Sequence, residues 1–543
     1  MAKFRKFIML AVIPVLLTGC LSSSDSDSSA EESRMEASAA EEASSASEDQ
    51  MDITEYFTEG TILTLSIETV SQDKNVMDFV EKPIAPYVSH SIASWTPGYK
   101  IPPEPYYEDC FITLKDNGGN VFLDAAEAAV KVRGNWTTSY NKKPLRIKFS
   151  EKQNLLGLND GAKMKNWILL AEYKDISMLR NKTALSISRE LLGEDGLYAA
   201  DAAFVEVVIN RQYWGVYLLT ELQQVNPNRV DITEPEEGYQ GTDIGYFMEF
   251  DGYFMNEEPL QQFRMDYAGN EPLVPFDGNG GSGRTITPQK SSSRDPRQDV
   301  GITIKSDIYS QEQHDFIESY MNNVYQIMYA AAYKDEAYQF SSDYSSLSKA
   351  DITPREAVEL AVDVDSLADM YIISELTCDA DIYWSSFFMD VDLGPDGDGR
   401  LRFEAPWDFD SAMGNKDRCA DGKGFYAANI VPDVNNQYEA INPWLAVLMY
   451  EDWFQDIIRE KWTKAYDSGV FERAYSMIEN DTAFYQEAFE RNYLRWDNIR
   501  NNAASGEWSR RSAQCKTHGE AAEFLEEWLH TRVEFLNDYW HVI

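Results

Sequence analysis

Histidine, cysteine and basic residues are scarce in this chain of 543 residues. It has five histidines, and its cysteines show no Cys-x-x-Cys spacing, which argues against a zinc site. The 48 Lys and Arg residues stand against 91 Asp and Glu, and the resulting net charge of −43 disfavours nucleic acid as a partner through long-range repulsion. Four cysteines follow residue 20, and export would allow them to pair in three ways: Cys110, Cys378, Cys419 and Cys515.

The first 20 residues have the order of an export signal. Three basic residues within the first six positions precede an apolar run over Phe7–Leu17, and Gly19-Cys20 follow. The run is too short to span a bilayer, and a small residue before a cysteine fits lipoprotein processing. We expect residues 1–20 to be a lipoprotein signal peptide in which Cys20 is lipidated. The mature protein would then be an exported bacterial lipoprotein of the cell envelope that meets a membrane through this lipid only. An ordinary cleaved signal with a chance cysteine is the alternative.

Composition divides the rest of the chain. Residues 21–55 are rich in Ser, Ala, Glu and Asp and bury too little apolar surface to offset chain entropy, which predicts a disordered tether. The chain as a whole is 43% hydrophobic, enough for a substantial core. We expect an N-terminal extension over 56–109, a small lobe over 110–231 and a large lobe over 232–543.

Two periodicities predict an α+β fold. Apolar and polar residues alternate over 111–114, 130–133 and 145–149, and a further pair of strands should form a hairpin about Asn210-Arg211. These segments, with one helix over 176–192, predict a mainly antiparallel sheet. Helical periodicity dominates beyond residue 310, which predicts an enlarged helical C-terminal lobe.

Two acidic clusters flank a predicted hairpin. Asp379 and Asp381 precede its first strand, and Asp408 and Asp410 follow its second, so Asp381 and Asp408 should lie near each other. Phosphoryl transfer needs such an arrangement, because one carboxylate positions the attacking hydroxyl while others hold Mg²⁺ against the phosphates. Solvated acids in an acidic protein are the alternative, but Trp407 and Phe409 alternate with Asp408 and Asp410, which is not typical of a purely solvated face.

The turn of this hairpin also invites a structural Ca²⁺ site. Its acids miss the EF-hand register, since starting at Asp392 puts Gly394 at the third position and Phe403 at the twelfth. A plain Asp/Gly turn is the other interpretation.

Six short motifs follow one another along the body of the chain. They are Arg133-Gly-Asn-Trp-Thr, Lys142-Lys-Pro-Leu-Arg-Ile-Lys148, Trp167-Ile-Leu-Leu-Ala171, Asp175 with Leu179-Arg-Asn181, Asn210 with Gly215-Val-Tyr-Leu-Leu-Thr-Glu221, and Pro406-Trp-Asp-Phe-Asp410 with Gly414-Asn415. In content and order they resemble the motifs of the CotH kinase family, the spore-coat CotH-like secreted atypical protein kinases. The resemblance extends from about Cys110 to the C-terminal helix that contains Arg532 and Leu536.

The resemblance implies a two-lobed, atypical protein-kinase-like fold, ATP as donor, Mg²⁺ or Mn²⁺, and phosphorylation of Ser or Thr in a protein substrate. By position, Asp381 matches the family's catalytic Asp. Asp408 resembles the Asp of the kinase Asp-Phe-Gly motif, with Asp410 in place of the Gly, so these two would hold the metal.

The resemblance also implies residues that bind the nucleotide. Lys148 is the candidate for the basic contact to the phosphates, and Lys143 competes with it for this role. Arg133 would support the same phosphates, and Glu221 follows the strand that should lead into the hinge between the lobes.

One departure from the family pattern concerns the second metal. Ser385 and Ser386 follow Asp381 where the family usually has Asn, the residue with which a kinase catalytic loop holds its second metal. A non-catalytic (pseudokinase) surface lipoprotein that acts as a binding or scaffold module is therefore the alternative function.

Overall fold

The computed structural model describes residues 62–279, 283–289, 300–432, 439–500 and 502–542. Its strands are β1 Thr64–Thr69, β2 Glu108–Lys115, β3 Val121–Val132, β4 Leu145–Gln153, β5 Met164–Leu170, β6 Ala202–Ile209, β7 Gln212–Glu221, β8 Gly245–Asp251, β9 Gln262–Phe263, β10 Gly301–Ile304, β11 Tyr338–Phe340, β12 Leu347–Lys349, β13 Phe387–Asp392, β14 Val431–Pro432 and β15 Glu439–Ala440. Its α-helices are α1 Asp78–Glu81, α2 Pro86–Trp95, α3 Arg180–Gly193, α4 Tyr267–Asn270, α5 Gln311–Lys334, α6 Pro354–Ala361, α7 Val364–Thr377, α8 Pro443–Ala446, α9 Asp452–Asp467, α10 Val470–Phe484, α11 Gln486–Trp496, α12 Arg510–Gln514 and α13 His518–Trp540. The proposed lipidated Cys20, the signal peptide and the tether lie outside the described residues.

The first seven strands close into a barrel in the order β1-β2-β3-β4-β5-β7-β6. Neighbouring strands are antiparallel except β1 and β6, whose parallel pairing closes the barrel. The predicted hairpin of β6 and β7 is confirmed. The barrel also includes β1, which comes from the segment expected to be an N-terminal extension. Its alternate residues Leu65 and Ile67 are fully buried, and burying that apolar face draws β1 into the barrel.

The remainder of the chain combines a small sheet with helices. Strands β13, β8, β10 and β9 form a four-stranded sheet in that order. The long helices α5, α7 and α13 confirm the predicted helical periodicity, and mixed helix and strand confirm the α+β class. The kinase-like arrangement of two lobes stays a prediction. Among the described helices, none has both the length and the apolar character to cross a membrane.

Two buried ion pairs hold the ends of helices at the junction between the barrel and the helical region. Arg180 at the start of α3 pairs with Asp175, and Arg532 of α13 pairs with Glu375 near the end of α7. Each arginine also donates to backbone carbonyls of loops that follow the acidic motif, at Met413 and Gly424 respectively. Removing one partner from such a pair would leave a buried charge without a counter-ion, so each pair keeps its arginine in place. The arginines in turn hold the two loops through these hydrogen bonds. Among the cysteines after residue 20, Cys378 is in a disulfide, whereas Cys110 and Cys515 are free.

Candidate active site

A cavity of about 890 Å³ lies where the barrel meets the small sheet and the loops after α7. Its walls carry acidic and basic side chains. The acids are Glu172, Glu249, Asp251, Glu257, Asp381, Asp408, Asp410 and Glu507, and the bases are Arg133, Lys142, Lys174, Lys305, Lys416 and Arg418. A cavity of this size with converging polar groups is typical of a small-molecule or cofactor site.

Three aspartates converge at one wall of the cavity. Asp381, Asp408 and Asp410 each offer a carboxylate oxygen, and these oxygens lie within 4.8 Å of one another. Asp381 begins a short 3₁₀ turn four residues after the end of α7, and Asp408 precedes a similar turn over Phe409–Ser411. The prediction that Asp381 and Asp408 lie near each other is therefore confirmed. The predicted hairpin is reduced, because only Arg402 of its second strand pairs with β13, at Asp390.

The backbone at Asp408 is held in an unusual conformation. Its φ of +69° is in the left-handed region, which a residue with a side chain adopts only when its surroundings fix it. The next amide, Phe409 N, donates to Asn181 Oδ1 at 2.8 Å, and Asn181 Nδ2 donates to Glu172 Oε1 at 3.0 Å. Asn181, from the Leu179-Arg-Asn181 motif, thus orients the acidic loop from the first turn of α3.

Burial and the repulsion of neighbouring carboxylates raise the pKa values of Asp408 and Asp410. The pKa of Asp408 rises to about 8, first through burial and then through Asp410 and Asp381. Burial likewise raises the pKa of Asp410, although Lys174 opposes the shift. The neighbouring Asp379 is also buried, and burial followed by Asp381 raises its pKa well above the usual range. A divalent cation would offset this repulsion, so the oxygen-rich group fits Mg²⁺ or Mn²⁺.

Ser385 and Ser386 both line the cavity where a kinase would carry its metal-binding Asn. Ser386 is fixed by its amide, which donates to Glu249 Oε1 at 2.9 Å. Asp410 supplies a carboxylate to the acidic group at the position where the kinase motif has Gly. The acidic group therefore has three carboxylates in spite of the missing amide.

Arg133 is the predicted phosphate-binding residue that reaches the cavity. It follows β3, and its guanidinium lies 5.8 Å from the centre of the Trp407 ring. Burial lowers the pKa of Arg133, and Asp408 is the main group that opposes this shift. Arg133 therefore presents a half-buried positive charge beside the acidic group.

The structure does not bring Lys143 or Lys148 to the cavity. Lys148 is exposed on the outside of the barrel, because alternation along β4 turns its neighbours Ile147 and Phe149 inwards. Lys143 Nζ is buried and donates to the backbone carbonyls of Thr138 and Tyr140, and burial lowers its pKa to about 7. Lys143 thus stabilises the loop after β3.

Two other lysines, which sequence reasoning missed, stand beside the acidic group. Lys174 Nζ lies 3.4 Å from Asp410 Oδ1 and 3.3 Å from Glu507 Oε2, and Lys416 Nζ lies 3.3 Å from the same Glu507 oxygen. The Tyr140 hydroxyl donates to Glu507 Oε1 at 3.0 Å. Burial alone would raise the pKa of Glu507, but Lys174 and Lys416 lower it to about 2. Glu507 is thus a half-buried anion that holds two lysines.

Glu221 lies at the end of β7, where the chain leaves the barrel, but it does not line the cavity. Its buried carboxylate accepts from Arg229 Nε at 3.1 Å and from Asn159 Nδ2 at 3.0 Å. The next two residues, Leu222 and Gln223, do line the cavity. Glu221 therefore fixes the backbone of the segment that would form the hinge.

The hairpin turn does not gather its acids into a cation site. Asp392 accepts from the amides of Thr233 and Gly394, and Asp398 pairs with Arg400 and Arg402. Among the described residues, the turn contributes no group of three clustered metal-ligating side chains. This arrangement fits the plain Asp/Gly turn better than a structural Ca²⁺ site.

Comparison with known proteins identifies a family for this chain. No curated protein matches the chain significantly. The family model described as CotH kinase protein matches residues 130–536, most of the chain. The match includes Arg133, Lys174, the three aspartates and Glu507. The chain therefore belongs to the CotH kinase family.

Proposed function

We propose that this protein is a kinase that transfers the γ-phosphate of ATP to Ser or Thr hydroxyls of a protein substrate. The observation that carries this proposal is the convergence of Asp381, Asp408 and Asp410 within 4.8 Å in a cavity that also contains buried basic residues. Family membership supports a kinase-like function. The arrangement can both neutralise phosphate charge and orient a nucleophile, which is most of what phosphoryl transfer asks of a protein.

The three aspartates would divide these tasks. Asp381, which shares the cavity wall with Ser385 and Ser386, would accept a hydrogen bond from the acceptor hydroxyl and take its proton. Asp408 and Asp410 would hold Mg²⁺ or Mn²⁺, which when bound neutralises charge on the phosphates. Asn181 serves them by fixing the Phe409 amide and hence the loop between the two.

Lys174 and Arg133 would contact the phosphates directly. Lys174 already lies between Asp410 and Glu507, so a phosphate oxygen near Asp410 would be within its reach. Glu507 keeps Lys174 charged in a buried place, because the pKa of Lys174 is raised well above its usual value by Asp410 and Glu507 despite burial. Lys416, held by the same carboxylate, would add a further positive charge.

A non-catalytic scaffold is the second candidate, and Ser385 and Ser386 are the observation that favours it. Without the usual Asn, affinity for a second metal rests on carboxylates alone. A protein that binds ATP and metal but does not turn over would satisfy every geometric feature above.

Phosphate transfer from radiolabelled ATP decides between the two candidates. The full chain, with Mg²⁺ or Mn²⁺, should label itself or a Ser-rich protein, and Asp381→Asn should lose about 10²–10⁴-fold in rate with little change in ATP affinity. Transfer by neither parent nor variant, together with ATP binding by both, would establish the scaffold. An Asp381→Asn protein as active as the parent would shift the role to Asp379, whose Oδ1 accepts from the Asp381 amide at 3.0 Å.

We also propose that the protein is exported and anchored through a lipid on Cys20. The order of basic residues, apolar run and Gly19-Cys20 supports this proposal. A protein substrate would then lie outside the cytoplasm.

A further inference from the structure

Gln223 is a polar side chain in the cavity wall that the proposed chemistry does not use. It lines the cavity, and its Nε2 is shielded from solvent without a hydrogen-bond partner in the described part of the chain. A buried amide N–H group that lacks a partner destabilises the folded protein, because nothing compensates for the loss of its hydrogen bonds to water. The simplest explanation of such a group is a ligand that accepts a hydrogen bond from it.

The residues on either side of Gln223 are fixed. Glu221 is held by Arg229 and Asn159, and Gln224 Oε1 accepts from Arg229 Nη1 at 3.2 Å and from Asn166 Nδ2 at 3.4 Å. The backbone therefore presents Gln223 at one place. Its carboxamide carries an NH₂ donor and an oxygen acceptor side by side, so it can form two hydrogen bonds with one partner in the cavity.

Strand register separates Gln223 from the acidic group. On β5, Trp167 pairs with Glu221 and Leu170 pairs with Leu218. The chain continues from Leu170 to Lys174 at one end of this strand pair and from Glu221 to Gln223 at the other end. The two residue pairs are three residues apart along the strands, so these ends are separated by roughly 10 Å. A nucleotide whose phosphates lie beside Lys174 would extend its base towards Gln223.

The cavity that Gln223 lines also offers apolar and aromatic surface to a planar base. Leu222 and Phe388 line it, and Phe388 is held by stacking on Phe247 with ring centres 5.4 Å apart. Apolar and aromatic surfaces bind the faces of a base, and a carboxamide can pair with its edge. Glutamine binds adenine through two hydrogen bonds, since adenine offers a donor at N6 and an acceptor beside it.

We propose that Gln223 reads the edge of the nucleotide base and sets the preference for ATP over GTP. This inference rests on the proposed function, because it assumes that the cavity holds a nucleotide. In this arrangement the Gln223 oxygen accepts from the adenine N6 amino group, and its NH₂ donates to the adjacent ring nitrogen. The base is thus recognised by a side chain of this protein next to the hinge.

The experiment compares binding of MnATP and MnGTP to the full chain by calorimetry in four proteins: the parent, Gln223→Leu, Gln223→Glu and Gln212→Leu. Gln212 is the matched control, because it lies at the other end of β7 and donates to the Lys74 carbonyl away from the cavity. Gln223→Leu should weaken ATP binding roughly tenfold, because it removes both hydrogen bonds to the base. Gln223→Glu should lower the ratio of ATP to GTP affinity at least tenfold, because its carboxylate accepts from guanine N–H groups and repels the ring nitrogen of adenine.

A second measurement guards against indirect effects of the substitutions. Purine riboside triphosphate lacks the N6 amino group, so it should bind the parent more weakly than ATP, and Gln223→Leu should abolish most of that difference. Thermal unfolding of each variant shows whether it is folded, and either Gln223 variant alone suffices for the comparison.

Two failures can be told apart. If the parent binds MnATP but both Gln223 variants bind it within twofold of the parent, Gln223 does not contact the base and the inference is wrong while the proposed function stands. If the parent binds neither nucleotide with Mn²⁺, the proposed function itself fails and the inference falls with it.

Discussion

Replacing Asp408 by Asn should stabilise the metal-free protein at alkaline pH and abolish its response to Mn²⁺. Asn has the shape of Asp but no charge, so it removes repulsion within the group of Asp381, Asp408 and Asp410. The same change removes a carboxylate that a divalent cation needs. The two effects have opposite consequences for stability, which makes the prediction specific.

The pKa of Asp408 gives the sign and the size of the effect. Because its pKa in the folded protein, about 8, is above its usual value of 3.8, the folded state binds the proton more tightly than the unfolded state. The free energy of unfolding therefore falls as pH rises between these two values. The full shift corresponds to about 5–6 kcal/mol, and sharing of the charge among neighbouring acids reduces the expected gain from Asp408→Asn to about 2–3 kcal/mol.

Thermal unfolding is the assay. For a folded body on the order of 460 residues, the entropy of unfolding is about 1 kcal/mol/K, so the melting temperature should rise by about 2–3 °C. With EDTA, the rise should be present at pH 8.5 and vanish at pH 4. With Mn²⁺ and ADP, the parent should melt at a higher temperature and Asp408→Asn should not respond.

The control is Asp396→Asn, which neutralises an exposed acid in the hairpin turn. It should show neither the pH-dependent gain nor the loss of the Mn²⁺ response. Equal melting temperatures of parent and Asp408→Asn at every pH, or equal stabilisation of both by Mn²⁺, would refute the reasoning.

Three further predictions concern other parts of the molecule. Glu507→Gln should weaken ATP binding about tenfold, measured by calorimetry, because Lys174 and Lys416 lose the anion that holds them; unchanged affinity would leave Glu507 a purely structural residue. Burial lowers the pKa of His518 from 6.5 to about 4, so the free energy of unfolding falls as the pH drops from 6.5 to 4. His518→Gln should recover up to about 3 kcal/mol of that loss in denaturant titrations at pH 4. Cys20→Ser should prevent lipidation and give a soluble form or unprocessed precursor on membrane fractionation; lipid labelling equal to that of the parent would contradict the lipoprotein assignment.

The acidic group could be predicted from the sequence because its parts are local. Only 26 residues separate Asp381 from Asp408, and they include β13 and a turn rich in Asp and Gly. Such a turn predicts that the chain reverses direction and brings the two aspartates together. Period-two alternation also identified β4 and correctly placed Lys148 on the polar side of the strand. Lys148 nevertheless does not reach the cavity, because closure of the barrel exposes the polar side of β4 to solvent.

Long-range contacts could not be predicted in this way. Glu507 lies 367 residues from Tyr140, to which it is bonded, and a single acidic residue in a chain with so many gives no signal of its own. Strand β1 was missed for a related reason: two helices separate it from its partner β2, so no turn marks the pairing. Periodicity identifies elements, whereas closure of the barrel and the basic side of the cavity depend on which elements meet.

The position of Glu507 near the C-terminus also affects when the site can form during synthesis. A nascent chain that has reached residue 500 already contains all three aspartates, Arg133 and Lys174, but lacks the anion that fixes the two lysines. Closing a loop of this length costs entropy that only a nearly complete fold repays. The basic side of the cavity is thus completed after the acidic side, so a chain that ends before Glu507 would carry every acidic motif but lack the anion that holds Lys174 and Lys416.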